Sequence, residues 1–333
     1  MGLSVSVAIC TYNGEKYIYD QIKSIIDQTR RPDEIIIFDD ASYDNTINEI
    51  KRAVLNYNGV CKLFINKKNV GYEKNFYQAI CATSGDIVFL SDQDDVWMKN
   101  KIEKIEKIFY KEKDISLVVH DVEVCDSDLH CIQPSTWNYE GFCGFSENEI
   151  FKSVLEGNHV QGCASAVRKE MISSFGKSFP NEVSHDAWIG LICAMYGKIY
   201  YTNDVLLKYR QHANNTLGAR ASKRVQLLTG IQGIKIFLDS YQKTLQRSLN
   251  GKKWIVKNVD TGKCNGLFLE KCKFYIEFLQ RRLKIISNGN AVGTLHLVGM
   301  VKKYIGVSYN KKRAIKSMIE DVLLLILKRR FDN

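Results

Sequence analysis

Asp92, Asp94 and Asp95 fall within four positions, directly after the apolar run Asp86–Leu90. Like charges that close repel one another unless a cation sits among them. An oxygen-only cluster of this kind suits Mg2+ or Mn2+, which usually complete their coordination with substrate phosphates. A divalent cation beside a phosphate-bearing substrate is therefore the chemistry these residues suggest. Other polar segments share their setting: Thr11–Gly14, Asp39–Thr46 and Asn66–Asn75 each follow a short apolar run. Read singly, each is equally well a turn or a helix cap.

The elements that must carry these segments alternate in period. Strands are expected at "VSVAIC", 34–38, 61–65, 86–90 and 115–120, and helices at 15–28, 44–57, 72–82 and 99–110. Strands apolar on both faces and separated by helices predict a parallel α/β sheet covered on both sides, with ligands beyond the carboxyl ends of its strands. Four such ends bring the four polar segments to one rim. Further on, 159–169 reads as a strand, 185–197 as a helix and 205–212 as a strand running into a loop. From residue 221 the pattern is helical and basic, at 234–249, 271–286 and 314–330.

Composition sets outer bounds. The 333 residues are 45% hydrophobic and 25% charged, a globular balance. No run of 18 uninterrupted apolar residues predicts a transmembrane helix, and the first residues do not read as a signal peptide. Ten cysteines, none in a C-x-x-C pair, read as reduced core residues, which predicts a cytoplasmic protein. Residues 221–333 hold 23 Lys and Arg against 7 Asp and Glu, a net of +16, whereas 1–220 hold 24 against 30, a net of −6. Such asymmetry suggests two jobs, and a basic tail suits nucleic acid, anionic lipid or a phosphorylated substrate. Neither a P-loop nor a G-x-G-x-x-G after the first strand is present, which argues against a P-loop enzyme and a dinucleotide-binding domain.

The run from "SVSVAICTYNGEKY" through "FDDASYDNT" to "SGDIVFLSDQDDVW" resembles the family 2 glycosyltransferases of the GT-A fold. The resemblance covers roughly residues 4–120, and "SHDAW" and "YRQHANN" extend it. The D-Q-D-D-x-W form is similar to that of a bacterial branch rich in rhamnosyltransferases of O-antigen, capsule and cell-wall polysaccharide assembly. The resemblance implies a GT-A, Rossmann-like, mostly parallel sheet flanked by helices over residues 1–220, with 1–120 binding the nucleotide sugar and 121–220 serving acceptor and catalysis. Residues 221–333 match no motif and read as a basic amphipathic helical extension.

The resemblance also implies roles. Thr11, Tyr12, Asn13, Asp39, Asp40, Lys74 and Asp92 would meet the donor. Asp94, with Asp92 and His212, would hold Mn2+ or Mg2+. Asp186 would be the base, although Asp also favours a helix N-terminus. Asp95, Trp97 and Trp188 would face the acceptor, the two tryptophans being equally readable as core. The implied activity is inverting transfer from dTDP-rhamnose or a UDP-hexose to a glycan on a polyprenyl diphosphate. The basic helices would touch the inner face of the cell membrane, or else form an ordinary helical subdomain, and no nucleic acid is expected. A sugar nucleotidyltransferase of related fold and a non-catalytic basic membrane- or nucleic-acid-binding protein are the alternatives.

Overall fold

A computed structural model describes residues 2–140, 150, 153–155, 160–173, 180, 183–212, 231–260 and 262–288, with side chains except at 139–140, 231–240 and 285–288. The expected helix at 314–330 and the end of the quoted YRQHANN segment lie outside these residues. Two compact units divide the chain. One comprises Met1–Phe145, Val160–Phe179 and Ser184–Gly218, and the other Ser146–His159, Pro180–Val183 and Ala219–Asn333.

The first unit is built on a nine-stranded, mostly parallel sheet. Its strands are β1 (Val5–Thr11), β2 (Glu34–Asp39), β3 (Val60–Ile65), β4 (Ile87–Ser91), β5 (Val96–Trp97), β6 (Ile115–Cys125), β7 (Cys131–Gln133), β8 (Ser165–Arg168) and β9 (Lys198–Arg210). Their order is β3-β2-β1-β4-β8-β6-β9-β5, with β7 on β6. β1, β2 and β4 are buried along their whole length, as runs of Val, Ile and Phe covered on both faces must be. β3 departs from that expectation: it is the sheet's edge, and Val60, Phe64 and Ile65 are exposed.

Helices α1 (Ile18–Ile26), α2 (Thr46–Val54), α3 (Tyr72–Ala82) and α4 (Lys101–Lys111) cross between these strands. In α1, Ile18, Gln21, Ile22, Ile25 and Ile26 are buried, the spacing of a single 3.6-period face. The helix stops at Asp27, whose N–H donates to Lys23 O (2.9 Å), five residues before Pro32. α3 begins after Gly71, whose φ of 88° lies in the left-handed region that favours glycine.

Beyond β6 the chain differs from the simple alternation. α5 (Thr136–Glu140) starts where the buried Asp121 carboxylate accepts hydrogen bonds from the N–H groups of Thr136 (3.1 Å) and Trp137 (3.2 Å). A 3-10 turn, Gly162–Ala164, precedes β8, which is antiparallel to both β4 and β6 and is followed by α6 (Lys169–Ser173). α7 (His185–Tyr196) then leads into β9.

In the second unit, α8 (Ile231–Asn258) and α9 (Gly266–Asn288) pack antiparallel, with Tyr241 meeting Arg282 and Lys252 meeting Tyr275. Leu249, Ile255, Phe268, Cys272 and Phe278 are buried. Among the described residues no helix is long and apolar enough to cross a membrane.

Candidate active site

Strand register makes the rim. Thr11 pairs with Asp39 and Asp39 with Ile65, so β1 to β3 end at one level, and Ile9 pairs with Ser91, so β4 ends two residues short of it. Asp39 is fully buried and accepts from Thr11 Oγ1 (2.8 Å) and from Ser42 N (2.8 Å) and Oγ (2.5 Å), which folds the segment after β2 back on itself. Asp40 accepts from Asn66 Nδ2 (2.9 Å), Val70 N (2.8 Å) and Gly71 N (2.9 Å), anchoring the loop into α3. Both carboxylates therefore shape the rim's loops.

Tyr12 is held by its backbone: Gln93 Oε1 accepts from Tyr12 N (2.8 Å) and Gln93 Nε2 donates to Tyr12 O (3.1 Å). Its ring is 42% exposed and meets the exposed Tyr43 edge-on at 6.3 Å. Asn13, at φ 49°, accepts from Tyr43 N through Oδ1 (3.1 Å). Lys74 is exposed on the first turn of α3.

The acidic segment gathers partners from distant elements. His212 Nε2 lies 2.9 Å from Asp94 Oδ2, and its ring stacks on Tyr17 at 4.6 Å. The buried Arg210 donates through Nε to Asp94 O (2.8 Å), through Nη1 to Ser127 O (2.6 Å) and through its backbone N–H to Asp95 Oδ1 (3.1 Å). Its guanidinium stands 4.7 Å from the Tyr17 ring centroid. One arginine thus fixes the geometry of two acids from behind.

Charge is concentrated here beyond what water would allow. Burial, then the charges of Asp94 and Asp186, push the Asp92 carboxyl up to about 7. Burial, Asp94 and Asp92 push Asp95 well up. Asp186 is thus close enough to weigh on Asp92, although 94 residues separate them in sequence. Crowded carboxylates that resist ionising together suit a divalent cation, and their oxygens are the donors that Mn2+ or Mg2+ prefers.

Sequence reasoning missed Lys101, which is fully buried. Its Nζ donates to Cys163 O (2.7 Å) and stands 3.9 Å from the Trp97 ring centroid. Burial pushes the amine down to about 7, against the pull of Cys163, Asp95 and Asp92. The available signal was spacing: Lys101, Ile105 and Phe109 fall at i, i+4 and i+8 on one helix face. Two thiols line the same region. Burial raises both Cys10 and Cys163, with Asp92 adding to each, and Cys163 brings its sulfur within 4.8 Å of carboxylate oxygens of Asp92 and Asp95.

Asp186 stands in the first turn of α7, where the unpaired N–H groups favour a carboxylate, and its Oδ1 accepts from Ala187 N (2.7 Å). The residues expected to face an acceptor are buried instead. Asp95 is 0%, Trp97 3% and Trp188 1% exposed, so no indole face is left for a sugar ring. Trp97 is buried because β5 joins the sheet through β9, and Trp188 because it lies on the buried face of α7.

The chain matches the model of the family described as "Glycosyl transferase family 2" over residues 6–174. It is 29% identical over 227 residues to the dTDP-rhamnosyl transferase RfbG of Shigella flexneri, covering 64% of this chain and 75% of that protein. An uncharacterized glycosyltransferase of Nostoc sp. is 28% identical over 245 residues, 70% of this chain and 73% of that one. A mannosyltransferase of Pyrobaculum calidifontis, solved with GDP-Man and Mn2+, shares the fold at a TM-score of 0.57 and 15% identity, over 100% of this chain and 88% of that one. S. aureus TarS 1–349 with UDP does so at 0.51 and 14%, over 86% and 92%. These findings agree with the rim geometry: the chain belongs to glycosyl transferase family 2 and is a glycosyltransferase of the GT-A fold.

Proposed function

We propose that the chain is an inverting, metal-dependent glycosyltransferase. It moves a sugar from a nucleoside diphosphate to a glycan carried on a polyprenyl diphosphate, in bacterial surface polysaccharide assembly. The observation that carries this reading is that Asp92 and Asp94 are met by Asp186 and by His212, from three distant stretches of sequence. Thr11, Tyr12 and Asn13 lie where the nucleoside would meet the rim, with Asp39 and Asp40 holding that rim in shape and Lys74 free to reach phosphate. Asp94, Asp92 and His212 would hold Mn2+ or Mg2+, which when bound neutralises a departing diphosphate.

Asp186 takes the proton of the acceptor hydroxyl as its oxygen attacks the anomeric carbon. The bond from that carbon to the phosphate oxygen breaks, and the nucleoside diphosphate leaves with the electron pair. One displacement inverts the anomeric centre and needs only one base. The likeness to a dTDP-rhamnosyl transferase favours dTDP-rhamnose as donor, followed by UDP-hexoses. α8 and α9 carry eleven Lys and Arg against three Asp and Glu, a balance suited to an anionic leaflet.

The test is a donor panel of dTDP-rhamnose, UDP-glucose, UDP-galactose and UDP-N-acetylglucosamine with a synthetic polyprenyl-diphosphate acceptor. Turnover should vanish with EDTA and return with Mn2+ or Mg2+. Asp186→Asn should retain nucleotide binding and lose roughly 10²–10⁴-fold in turnover. Unchanged turnover would move the base elsewhere. Cosedimentation should favour vesicles containing anionic lipid over neutral ones, and equal binding to both would remove the membrane contact.

A further inference from the structure

His185, immediately before Asp186, is an odd side chain. It is 6% exposed, and neither ring nitrogen has a hydrogen-bond partner among the described residues. Shape alone must therefore hold it. One face stacks on Phe76 at 3.9 Å and 14°, and Tyr72 meets it edge-on at 6.4 Å. Phe76 is buried on α3, which packs on β1 and β2, so this wall does not yield. The other wall is Gly162: a Cβ there would fall 2.6 Å from His185 Nε2. Real Cβ atoms essentially never come that close, so only glycine fits while the ring keeps its place.

The turn bearing Gly162 cannot retreat either. Lys101 Nζ donates to Cys163 O (2.7 Å), and Ser165 Oγ donates to Gly162 O (2.8 Å). We infer that Gly162 is a positioning residue: its missing side chain lets His185 lodge between the 162–164 turn and Phe76, and this seating sets where the next residue, Asp186, presents its carboxylate. The inference rests on the reading of Asp186 as the base, and extends it by tying the base, through Gly162 and Lys101, to the elements that carry the metal-side acids.

A methyl at position 162 should drive the ring, and the first turn of α7 with it, out of place. A shift of about 1 Å at a reacting group costs on the order of 10²-fold in rate. The test follows nucleoside-diphosphate release from whichever of dTDP-rhamnose, UDP-glucose, UDP-galactose and UDP-N-acetylglucosamine the unaltered chain consumes, with dTDP and UDP affinity measured alongside. Gly162→Ala should lose about 100-fold in turnover at unchanged nucleotide affinity, and His185→Ala about 10-fold. The double variant should equal His185→Ala alone, because the clash has gone. Losses that multiply in the double variant would overturn the inference, as would a crystal structure of Gly162→Ala with Asp186 unmoved. Should Gly162→Ala not fold, the double variant decides: it folds and turns over like His185→Ala, or the inference fails. If Asp186 shifts while turnover holds, the seating stands and the assignment of the base falls.

Discussion

Each unit of this protein buries a lysine, and the two lysines are treated differently. Lys101, in the sheet unit, reaches Cys163 O across 62 residues of sequence and stands within the influence of Asp92 and Asp95. Lys252, in the helical unit, is 3% exposed and satisfied locally: its Nζ donates to Ser248 Oγ (2.7 Å) one turn back, with the Tyr275 ring centroid 5.4 Å away. Among the described residues no carboxylate pairs with it in an ion pair. The contrast separates two uses of buried charge. Around Lys101 a buried amine sits within the influence of the crowded acids of the rim. In α8 an aliphatic stem fills a helix interface, and its amine is tolerated.

The comparison can be broken by removing each amine in turn. Lys101→Met removes the amine that feels Asp92 and Asp95 and leaves Cys163 O without its donor. Removing one partner of a buried charged set costs about 3–5 kcal/mol, which a denaturant titration would read. A loss under about 1 kcal/mol would place Lys101 with Lys252 as a mere stem. Lys252→Met should act oppositely, raising stability near pH 7 by about 1–2 kcal/mol, because a buried amine with little compensation gives way to an apolar group of similar length. A fall in the melting temperature would show that its hydrogen bond to Ser248 matters more than its desolvation.

The smallest effect is one of pH. Burial pushes the Lys252 amine down to about 8, whereas an unfolded lysine titrates near about 10.4. Between those values the unfolded chain binds more protons than the folded one, so this residue makes stability rise with pH from about 8 to about 10. Melting curves across that window should show less of this rise in Lys252→Met, and identical slopes in the two proteins would refute the assignment.

The parts legible in the sequence were those with local causes. The strands and helices from Val5 to Lys111 follow from apolar runs and 3.6-period faces, and the rim follows from where those runs stop. Boundaries moved where tertiary contacts intervene. β9 starts at Lys198 rather than 205, because β6 pairs with it from Ile115 to Cys125, and Asn203 and Asp204 are taken up in a register shift between the Thr202 and Val205 pairs. Residues 159–169 narrowed to the strand Ser165–Arg168, since Lys101 and Ser165 hold Gly162–Ala164 as a turn. Trp97, readable as an acceptor contact or as core, is buried by β5–β9 pairing. Lys101 and Gly162 were missed for one reason: what makes each distinctive is a partner more than twenty residues away, which no local pattern carries.

The cysteines at the rim have a consequence for durability. Thiols are attacked by oxidants as thiolates, and burial beside carboxylates holds Cys10 and Cys163 well above the usual thiol range. Burial first, and the neighbouring acids second, therefore shield this sulfur from oxidation. Among the described cysteines the exposed ones, open to oxidants, are Cys81 and Cys131, and neither is among the residues that shape the rim. The site's sulfur is thus protected chiefly by burial, without a disulfide among the described cysteines.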